Sequence, residues 1–185
     1  MNWSWIPNAI TFARVLASLP LFWLLVDARY VPAFWLAMVA GFSDALDGII
    51  AKRFGWQSVV GGLLDPIADK LLLSACFLGL WWGGHLPTWL LALVLGRDVV
   101  ILLGAFAWWR LIGPFKPEPS VPSKATTLLQ LVLVVMELAQ LAGHPVAVEW
   151  LPALEQFTGL VTLVSGLDYV VRYGARARRR LGKGE

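Results

Sequence analysis

The chain has 185 residues, of which 58% are apolar and 15% charged, and its formal net charge is +3. A soluble domain of this size carries about 45–50% apolar and about 25% charged residues, so the composition excludes an ordinary soluble domain and favours a single membrane domain. The single cysteine, Cys76, lies in an apolar stretch, which excludes a disulfide framework or a cysteine metal site within one chain.

Six stretches of the chain are apolar enough for transmembrane helices, which need about 20 mostly apolar residues. Pro, Gly and polar clusters separate them. The sequence therefore predicts an all-α integral membrane protein, with one domain over residues 1–185 and a basic tail at residues 172–185. In chain order, the predicted spans are Ile6–Val26, Val31–Ala51, Leu63–Trp82, Leu86–Trp109, Ala125–Ala142 and Trp150–Val171.

Lys and Arg residues concentrate in the connections after the second and fourth spans and in the tail, whereas the other connections hold Arg29 alone. Because short cytoplasmic loops carry such an excess, both termini are predicted to be cytoplasmic. We expect no cleavable signal peptide, because residues 1–5 lack basic residues and the first apolar stretch is long enough to span. A bacterial inner membrane is the expected location.

Four aspartates lie at the ends of predicted spans two and three. Asp44 and Asp47 are spaced i, i+3 and Asp65 and Asp69 are spaced i, i+4, so each pair occupies one face of its helix. A charged side chain in a membrane helix costs at least about 2.5–3.5 kcal/mol, and such residues usually mark function. The connection Lys52–Gly62 lets the two helices run antiparallel, which brings the two pairs together. Four carboxylates in one small volume repel one another strongly unless cations bind them.

Oxygen-only ligands of this kind suit Mg²⁺ or Mn²⁺, and two such ions can clamp a diphosphate. Gly48 permits close approach of a ligand, and Gly61 permits a tightly packed loop. Lys52, Arg53 and Ser58 can contact phosphate oxygens. The alternative, in which the aspartates are helix caps and surface charges at the membrane edge, explains one or two of them but not two facing pairs.

The spacing of residues 44–69 resembles the signature of the CDP-alcohol phosphatidyltransferase family, D-x2-D-G-x2-A-R-x8-G-x3-D-x3-D. Lys52 departs from it, because the family usually has Arg there; Lys keeps the charge but loses the bidentate fork. Further similarities extend along nearly the whole chain. They are Pro7-Asn8 through Arg14, Asp65-Pro66 through Lys70, Gly96-Arg97-Asp98, and Pro122-Ser123-Lys124 through Gln130.

The resemblance implies a six-helix, homodimeric enzyme with its site just inside the cytoplasmic leaflet. In that reading, Asp44, Asp47 and Asp65 are metal ligands, and Asp69 is both a ligand and the general base for the acceptor hydroxyl. The predicted partners are CDP-diacylglycerol, an acceptor alcohol and membrane lipids, with no nucleic acid. The residues expected to contact the CDP-lipid are Pro7, Asn8, Gly48, Lys52, Ser58 and Gly61.

Two branches of that family differ in the acceptor, which is phosphatidylglycerol or glycerol-3-phosphate. Gly96-Arg97-Asp98 and Pro122-Ser123-Lys124 resemble the cardiolipin synthases, so phosphatidylglycerol is the expected acceptor and phosphatidylglycerophosphate synthesis is the alternative. Candidate contacts to the acceptor or to phosphate are Arg53, Lys70, Arg97 and Lys124. A membrane transporter is the remote alternative, but it would spread polar groups along a path through the bundle.

Four further polar residues, Glu137, Asp168, His85 and His144, are expected to lie outside the chemistry. Asp168 is predicted to pair with an arginine of the tail, and Glu137 to make a structural hydrogen bond. His85 and His144 are predicted to lie in outer connections, away from the chemistry.

Overall fold

The computed structural model describes residues 5–54, 59–111, 113 and 120–181, and side chains within those ranges except at 5–10, 44–54, 59–66, 179 and 181. The described chain is helical and contains no strand, which confirms the predicted all-α class. Its helices are α1 (Trp5–Val26), α2 (Tyr30–Phe54), α3 (Val59–Trp82), α4 (Thr88–Leu111), α5 (Val121–Leu141) and α6 (Leu151–Leu181), with a 3₁₀ turn at Val148–Trp150.

Three of these helices end in the same hydrogen-bonded cap. After α3, the His85 amide donates to the Leu80 carbonyl and the Gly84 amide donates to the Trp81 carbonyl. Gly84 has a φ of 78°, the left-handed conformation that this cap requires and that glycine adopts without strain. Gly143 ends α5 in the same way, and Ala28 does so after α1. The predicted breaks between helices are therefore confirmed at these three connections.

The predicted connection Lys52–Gly62 is wrong at both ends. Helix α2 continues to Phe54, and α3 already begins at Val59, so Gly61 lies in a helix. Lys52 and Arg53 extend α2 because both are good helix formers and their charges suit a helix C-terminus. At the other end, the low propensity of glycine is too weak a preference to stop α3.

Most of the predicted basic tail is helical. Helix α6 continues to Leu181 and therefore includes most of the tail. Residues 175–180 are all Ala or Arg, and both residues have high helix propensity.

Helices α1, α2 and α3 belong to one compact unit, which comprises Met1–Leu86 and Val134–Val148. Helix α1 packs against both α3 and α2. At Gly79 a Cβ would lie 2.6 Å from Leu25 Cβ, so the missing side chain allows α1 and α3 to approach closely. Leu21, Leu25 and Phe77 are fully buried in this unit.

The second compact unit comprises Pro87–Leu133 and Glu149–Glu185. Helix α4 packs against α6 in this unit. The Tyr169 hydroxyl of α6 donates to the Ile101 carbonyl of α4 at 3.2 Å, and nearer the start of α6 the Arg97 side chain reaches Ser165. Because residue numbers rise together in these contacts, the two helices run parallel.

Apolar side chains are exposed over much of the described surface. Leu102, Leu103 and Phe106 of α4 are each about 60% exposed. Contiguous apolar surface of this kind marks contact with a membrane or with another protein. Among the described residues, α4 and α5 are each long and apolar enough to cross a membrane, and shorter apolar stretches occupy Thr11–Val26 and Tyr30–Ser43.

Candidate active site

The four aspartates lie on two helices, as the sequence predicts. Asp44 and Asp47 fall within α2, and Asp65 and Asp69 fall within α3. Helical backbone at these positions places each pair on one face of its helix. The side chains of Asp44, Asp47 and Asp65 lie outside the described residues, so their predicted convergence stays a prediction.

Helix directions in the first unit bring three helix ends together. The contacts Arg14 to Asp69 and Leu25 to Gly79 show that α1 and α3 run parallel. Tyr30, the first residue of α2, meets His85 just after α3, so α2 runs antiparallel to α3. The start of α1, the end of α2 and the start of α3 therefore lie at the same end of this unit.

Most residues predicted to contact the CDP-lipid lie in those three segments. Pro7 and Asn8 are in the first turn of α1, Gly48 and Lys52 are in the last two turns of α2, and Gly61 is in the first turn of α3. Arg53, a candidate acceptor contact, follows Lys52 on α2. Ser58 lies outside the described residues. Backbone placement thus groups these positions, and their contacts with a lipid stay predictions.

Asp69, the predicted general base, forms an ion pair between α3 and α1. The Arg14 Nη1 atom donates to Asp69 Oδ1. The Arg14 side chain is 2% exposed, whereas the Asp69 side chain is 48% exposed. The carboxylate therefore neutralises a buried guanidinium on one side while it remains open to a ligand on the other. Lys70, the next residue, is half-buried.

Arg14 is the residue at this site whose role the sequence analysis did not identify. In the sequence it ends the motif that opens span one and is one of the charged residues in or near the predicted spans. A signal was present, because a charged residue in an apolar helix is rarely buried unless it is paired. The sequence did not indicate which of the aspartates would be the partner.

A divalent metal fits the donor set at this end of the unit. All four predicted ligands are carboxylates, which hard cations prefer, and the one described carboxylate, Asp69, is half exposed. Among the described residues, no three His, Cys, Asp or Glu side chains form a cluster. The metal site accordingly stays a prediction that rests on the chemistry of its ligands.

A second polar cluster surrounds Arg97 in the other unit. Arg97 is 8% exposed, and its Nη1 donates to Asp98 Oδ1 at 2.7 Å. Its Nη2 donates to Ser123 Oγ at 2.6 Å and to Ser165 Oγ at 3.3 Å. One guanidinium thus connects α4, α5 and α6. Lys124, another candidate acceptor contact, follows Ser123 and is exposed.

Several structural predictions are confirmed. Arg172 Nε lies 2.5 Å from Asp168 Oδ1, so Asp168 does pair with a basic residue near the C-terminus. His85 and His144 lie in connections, where the Tyr30 hydroxyl is 2.8 Å from His85 Nε2. Partial burial lowers the pKa of His85 and so favours its uncharged ring. Cys76 is a buried free thiol.

The chain matches a protein-family model over most of its length. The model describes the CDP-alcohol phosphatidyltransferases and matches residues 4–165, which include all four aspartates and the Arg97 cluster. Helices α1 to α5 and the first half of α6 lie within that match.

Curated relatives of the chain have two kinds of name. It is 30% identical, over 95% of its length, to "CDP-diacylglycerol--glycerol-3-phosphate 3-phosphatidyltransferase 1, chloroplastic" of Oryza sativa. It is 34% identical, over 90% of its length, to "Probable cardiolipin synthase (CMP-forming)" of Drosophila melanogaster. It is also 32% identical, over 95% of its length, to "Probable phosphatidylglycerophosphate synthase" of Mycobacterium tuberculosis.

The chain covers a different share of each relative's own length. The chain spans 59% of the rice protein and 56% of the fly protein, but 82% of the mycobacterial one. The names agree on a phosphatidyl transfer and differ in the acceptor.

Proposed function

We propose that this chain, which belongs to the CDP-alcohol phosphatidyltransferase family, transfers a phosphatidyl group from CDP-diacylglycerol to an alcohol at a membrane. The observation that carries the proposal is the pair of helices α2 and α3, each with two aspartates on one face, inside the region that matches the family. A transporter has no need of such a signature at fixed spacing.

The chemistry assigned to the chain's own residues is proton removal and positioning. In the proposed reaction, Asp69 accepts the proton of the acceptor hydroxyl, and the oxygen attacks the phosphorus of the phosphatidyl group. The bond from that phosphorus to the CMP oxygen breaks, and CMP leaves. Arg14 holds the Asp69 carboxylate in place through their ion pair. Fixed orientation and charge complementarity account for most of the acceleration in such transfers.

Asp44, Asp47, Asp65 and Asp69 would hold one or two Mg²⁺ or Mn²⁺ ions. When bound, such ions neutralise the charge on the diphosphate and on the departing CMP. We assign contacts with the CDP-lipid to six residues, five of which lie at the adjoining helix ends of the first unit. These residues are Pro7, Asn8, Gly48, Lys52, Ser58 and Gly61.

For the acceptor we propose phosphatidylglycerol, which makes the product cardiolipin. The support is the sequence Gly96-Arg97-Asp98 together with relatives named as cardiolipin synthases. Glycerol-3-phosphate is the second candidate, favoured by the names of the rice and mycobacterial relatives. Arg53, Lys70, Arg97 and Lys124 are the proposed contacts to the acceptor or to phosphate.

We further propose that the six helices all span the membrane, with both termini in the cytoplasm. The exposed apolar surface of the described helices and the concentration of Lys and Arg in alternate connections support this arrangement. A bacterial inner membrane and a homodimer complete the proposal.

The test is a transfer assay with the purified full chain in lipid nanodiscs. CDP-diacylglycerol labelled in its phosphatidyl group is offered with phosphatidylglycerol or with glycerol-3-phosphate in parallel, and both CMP and the labelled lipid are measured. We expect CMP release with cardiolipin as product. Labelled phosphatidylglycerophosphate would instead identify the second candidate, and no CMP release with either acceptor would overturn the transferase assignment.

A matched pair of variants connects the activity to the aspartates. Asp65→Ala should remove metal-dependent CMP release, because it deletes a proposed ligand. Asp27→Ala is the control, since Asp27 is an exposed aspartate in the connection between α1 and α2. Equal activity in the two variants would show that Asp65 is not a ligand.

A further inference from the structure

An apolar groove runs between α4 and α6 on the surface of the second unit. It consists of two hollows, of about 270 Å³ and about 220 Å³, which share Val100 and Val170 in their linings. Glycines form part of its floor. A Cβ at Gly96 or Gly174 would meet no atom within 4 Å, so the groove exists because side chains are missing there.

The larger hollow has the length of one lipid chain in one leaflet. On α4 it runs from Val100 to Leu111 and on α6 from Tyr169 to Ala177. At about 1.5 Å per residue these segments measure about 17 Å and about 12 Å. Half of the hydrocarbon core of a bilayer is about 15 Å thick. An acyl chain aligned with the helices therefore matches this hollow.

Three aromatic side chains line the larger hollow, Trp108 of α4 and Tyr169 and Tyr173 of α6. The rings of Tyr169 and Tyr173 lie 4.5 Å apart between centroids, and Trp108 meets Tyr173 edge-to-face at 6.0 Å. Tyr and Trp favour the level of the lipid headgroups. Trp108 lies in the last turn of α4, so the C-terminal end of the hollow is at the depth at which a headgroup would lie.

Positive charge is concentrated at the same end. The Arg176 guanidinium carbon lies 5.4 Å from the centre of the Tyr173 ring that lines the hollow. Since α4 and α6 run parallel, the exposed Arg110 at the end of α4 lies at this end as well. Arg178 and Arg180 are also exposed on the last turns of α6. This charge favours a headgroup with a net negative charge over a zwitterionic one.

We infer that the α4–α6 groove is a binding site for an anionic phospholipid of the membrane. One acyl chain lies in the hollow between α4 and α6, and the phosphate lies beside Arg176 and Arg110. The inference rests on the membrane placement proposed above but not on the identity of the acceptor. It assigns a specific lipid position to a surface of the second unit, whereas the aspartates lie on helices of the first.

Photolabelling in nanodiscs tests the groove. The full chain is placed in phosphatidylcholine nanodiscs that contain phosphatidylglycerol with a diazirine on one acyl chain, and labelled peptides are mapped by mass spectrometry. We expect label on residues 100–111 and 169–177. Val170→Trp should lose that label because it fills the groove. Val171→Trp should retain it, since Val171 is equally apolar and 68% exposed but does not line the groove.

A second matched pair protects the test against misfolding of one variant. Val100 lines both hollows, whereas its neighbour Val99 lines neither and is similarly exposed. Loss of label in Val100→Trp but not in Val99→Trp supports the site. Size-exclusion chromatography checks that all variants are folded. Equal labelling within both pairs of folded variants overturns the proposed site.

The headgroup is tested with the same diazirine chain on phosphatidylcholine. We expect the phosphatidylglycerol probe to label the groove more strongly than the phosphatidylcholine probe does. Arg176→Gln should reduce that preference about fivefold, because the attraction of one basic side chain for an anionic lipid corresponds to about that factor. Equal labelling by both probes would overturn the anionic assignment.

Two further outcomes separate failure of the groove from failure of the membrane placement. Uniform label over all helices overturns the groove alone, whereas no label anywhere in the chain overturns the membrane placement as well. If Val170→Cys instead forms a disulfide between two copies in nanodiscs, a second copy covers the groove and the lipid assignment is wrong.

Discussion

The ion pair between Arg14 and Asp69 predicts an asymmetric effect of mutation on stability. Asp69→Asn leaves the Arg14 charge buried beside a neutral amide. Arg14→Met leaves the Asp69 carboxylate instead, which is half exposed and can be hydrated. The first variant should therefore be less stable than the second. The double variant Arg14→Met with Asp69→Asn should be more stable than Asp69→Asn alone, because it removes the buried guanidinium together with the carboxylate.

The exposures of the two side chains set the size of the effect. Breaking a fully buried ion pair costs about 3–5 kcal/mol, whereas surface pairs contribute about 0–1 kcal/mol. With one partner 2% and the other 48% exposed, this pair lies between those limits. We expect Asp69→Asn to lower the free energy of unfolding by about 1–3 kcal/mol. The double variant should recover at least about 1 kcal/mol of that loss.

Activity should respond differently from stability. Loss of a general base lowers turnover by about 10²–10⁴-fold, so Asp69→Asn should lose CMP release to that extent. The double variant should stay inactive although its stability recovers, because the missing carboxylate is not restored. Arg14→Met separates the two roles, since it removes the ion pair but keeps the carboxylate.

The assays are reversible chemical unfolding in mixed micelles and CMP release in nanodiscs, with the four proteins of the cycle measured side by side. Binding of CDP-diacylglycerol to Asp69→Asn is measured as well and should persist. Two results would refute the reasoning. If the double variant is no more stable than Asp69→Asn, the buried pair does not form in the lipid-embedded protein. If Asp69→Asn keeps more than about a tenth of the wild-type turnover, Asp69 is not the general base.

Three further predictions concern other parts of the chain. Lys52→Arg should keep full turnover and lower the KM for CDP-diacylglycerol, because Arg adds a bidentate fork to the phosphate contact; a large loss of activity would show a pocket built around Lys. EDTA should abolish CMP release and added Mg²⁺ or Mn²⁺ should restore it, whereas full activity after chelation contradicts the metal assignment. Burial lowers the pKa of His85 in the fold, so the unfolded chain takes up the proton first as the pH falls below about 6.5. The melting temperature should therefore fall between pH 7.5 and pH 5.5, and fall less in His85→Gln; identical shifts would exclude His85 as the cause.

Helix content could be read from the sequence, because apolar runs of spanning length are separated by residues that end helices. Gly84 and Gly143 supply the left-handed residue of their caps, and the breaks there are where the sequence predicts them. The predicted bounds of the connection between α2 and α3 were wrong because they also relied on a local residue preference. Glycine at position 61 suggested a loop, but propensity is a weak local preference and the helix forms through it.

The aspartate pairs and the family were also accessible from the sequence, because both depend on spacing along one chain. Spacing of i, i+3 and i, i+4 has a fixed meaning on any helix. The Asp168 pair with Arg172 is of this local kind, and it was predicted. The convergence of Asp44, Asp47 and Asp65 depends on more than spacing and remains to be tested.

Contacts between distant segments were decided by the tertiary structure alone. Arg14 meets Asp69 across 55 residues, and Arg97 reaches Ser165 across 68. Local periodicity cannot predict such pairs, since a helix that is apolar on every side does not indicate which face meets a neighbour. The direction and rotation of α4 against α6 likewise determine that Gly96 and Gly174 open a groove. The sequence alone therefore identifies the candidate site residues, and packing between helices determines which side chains meet.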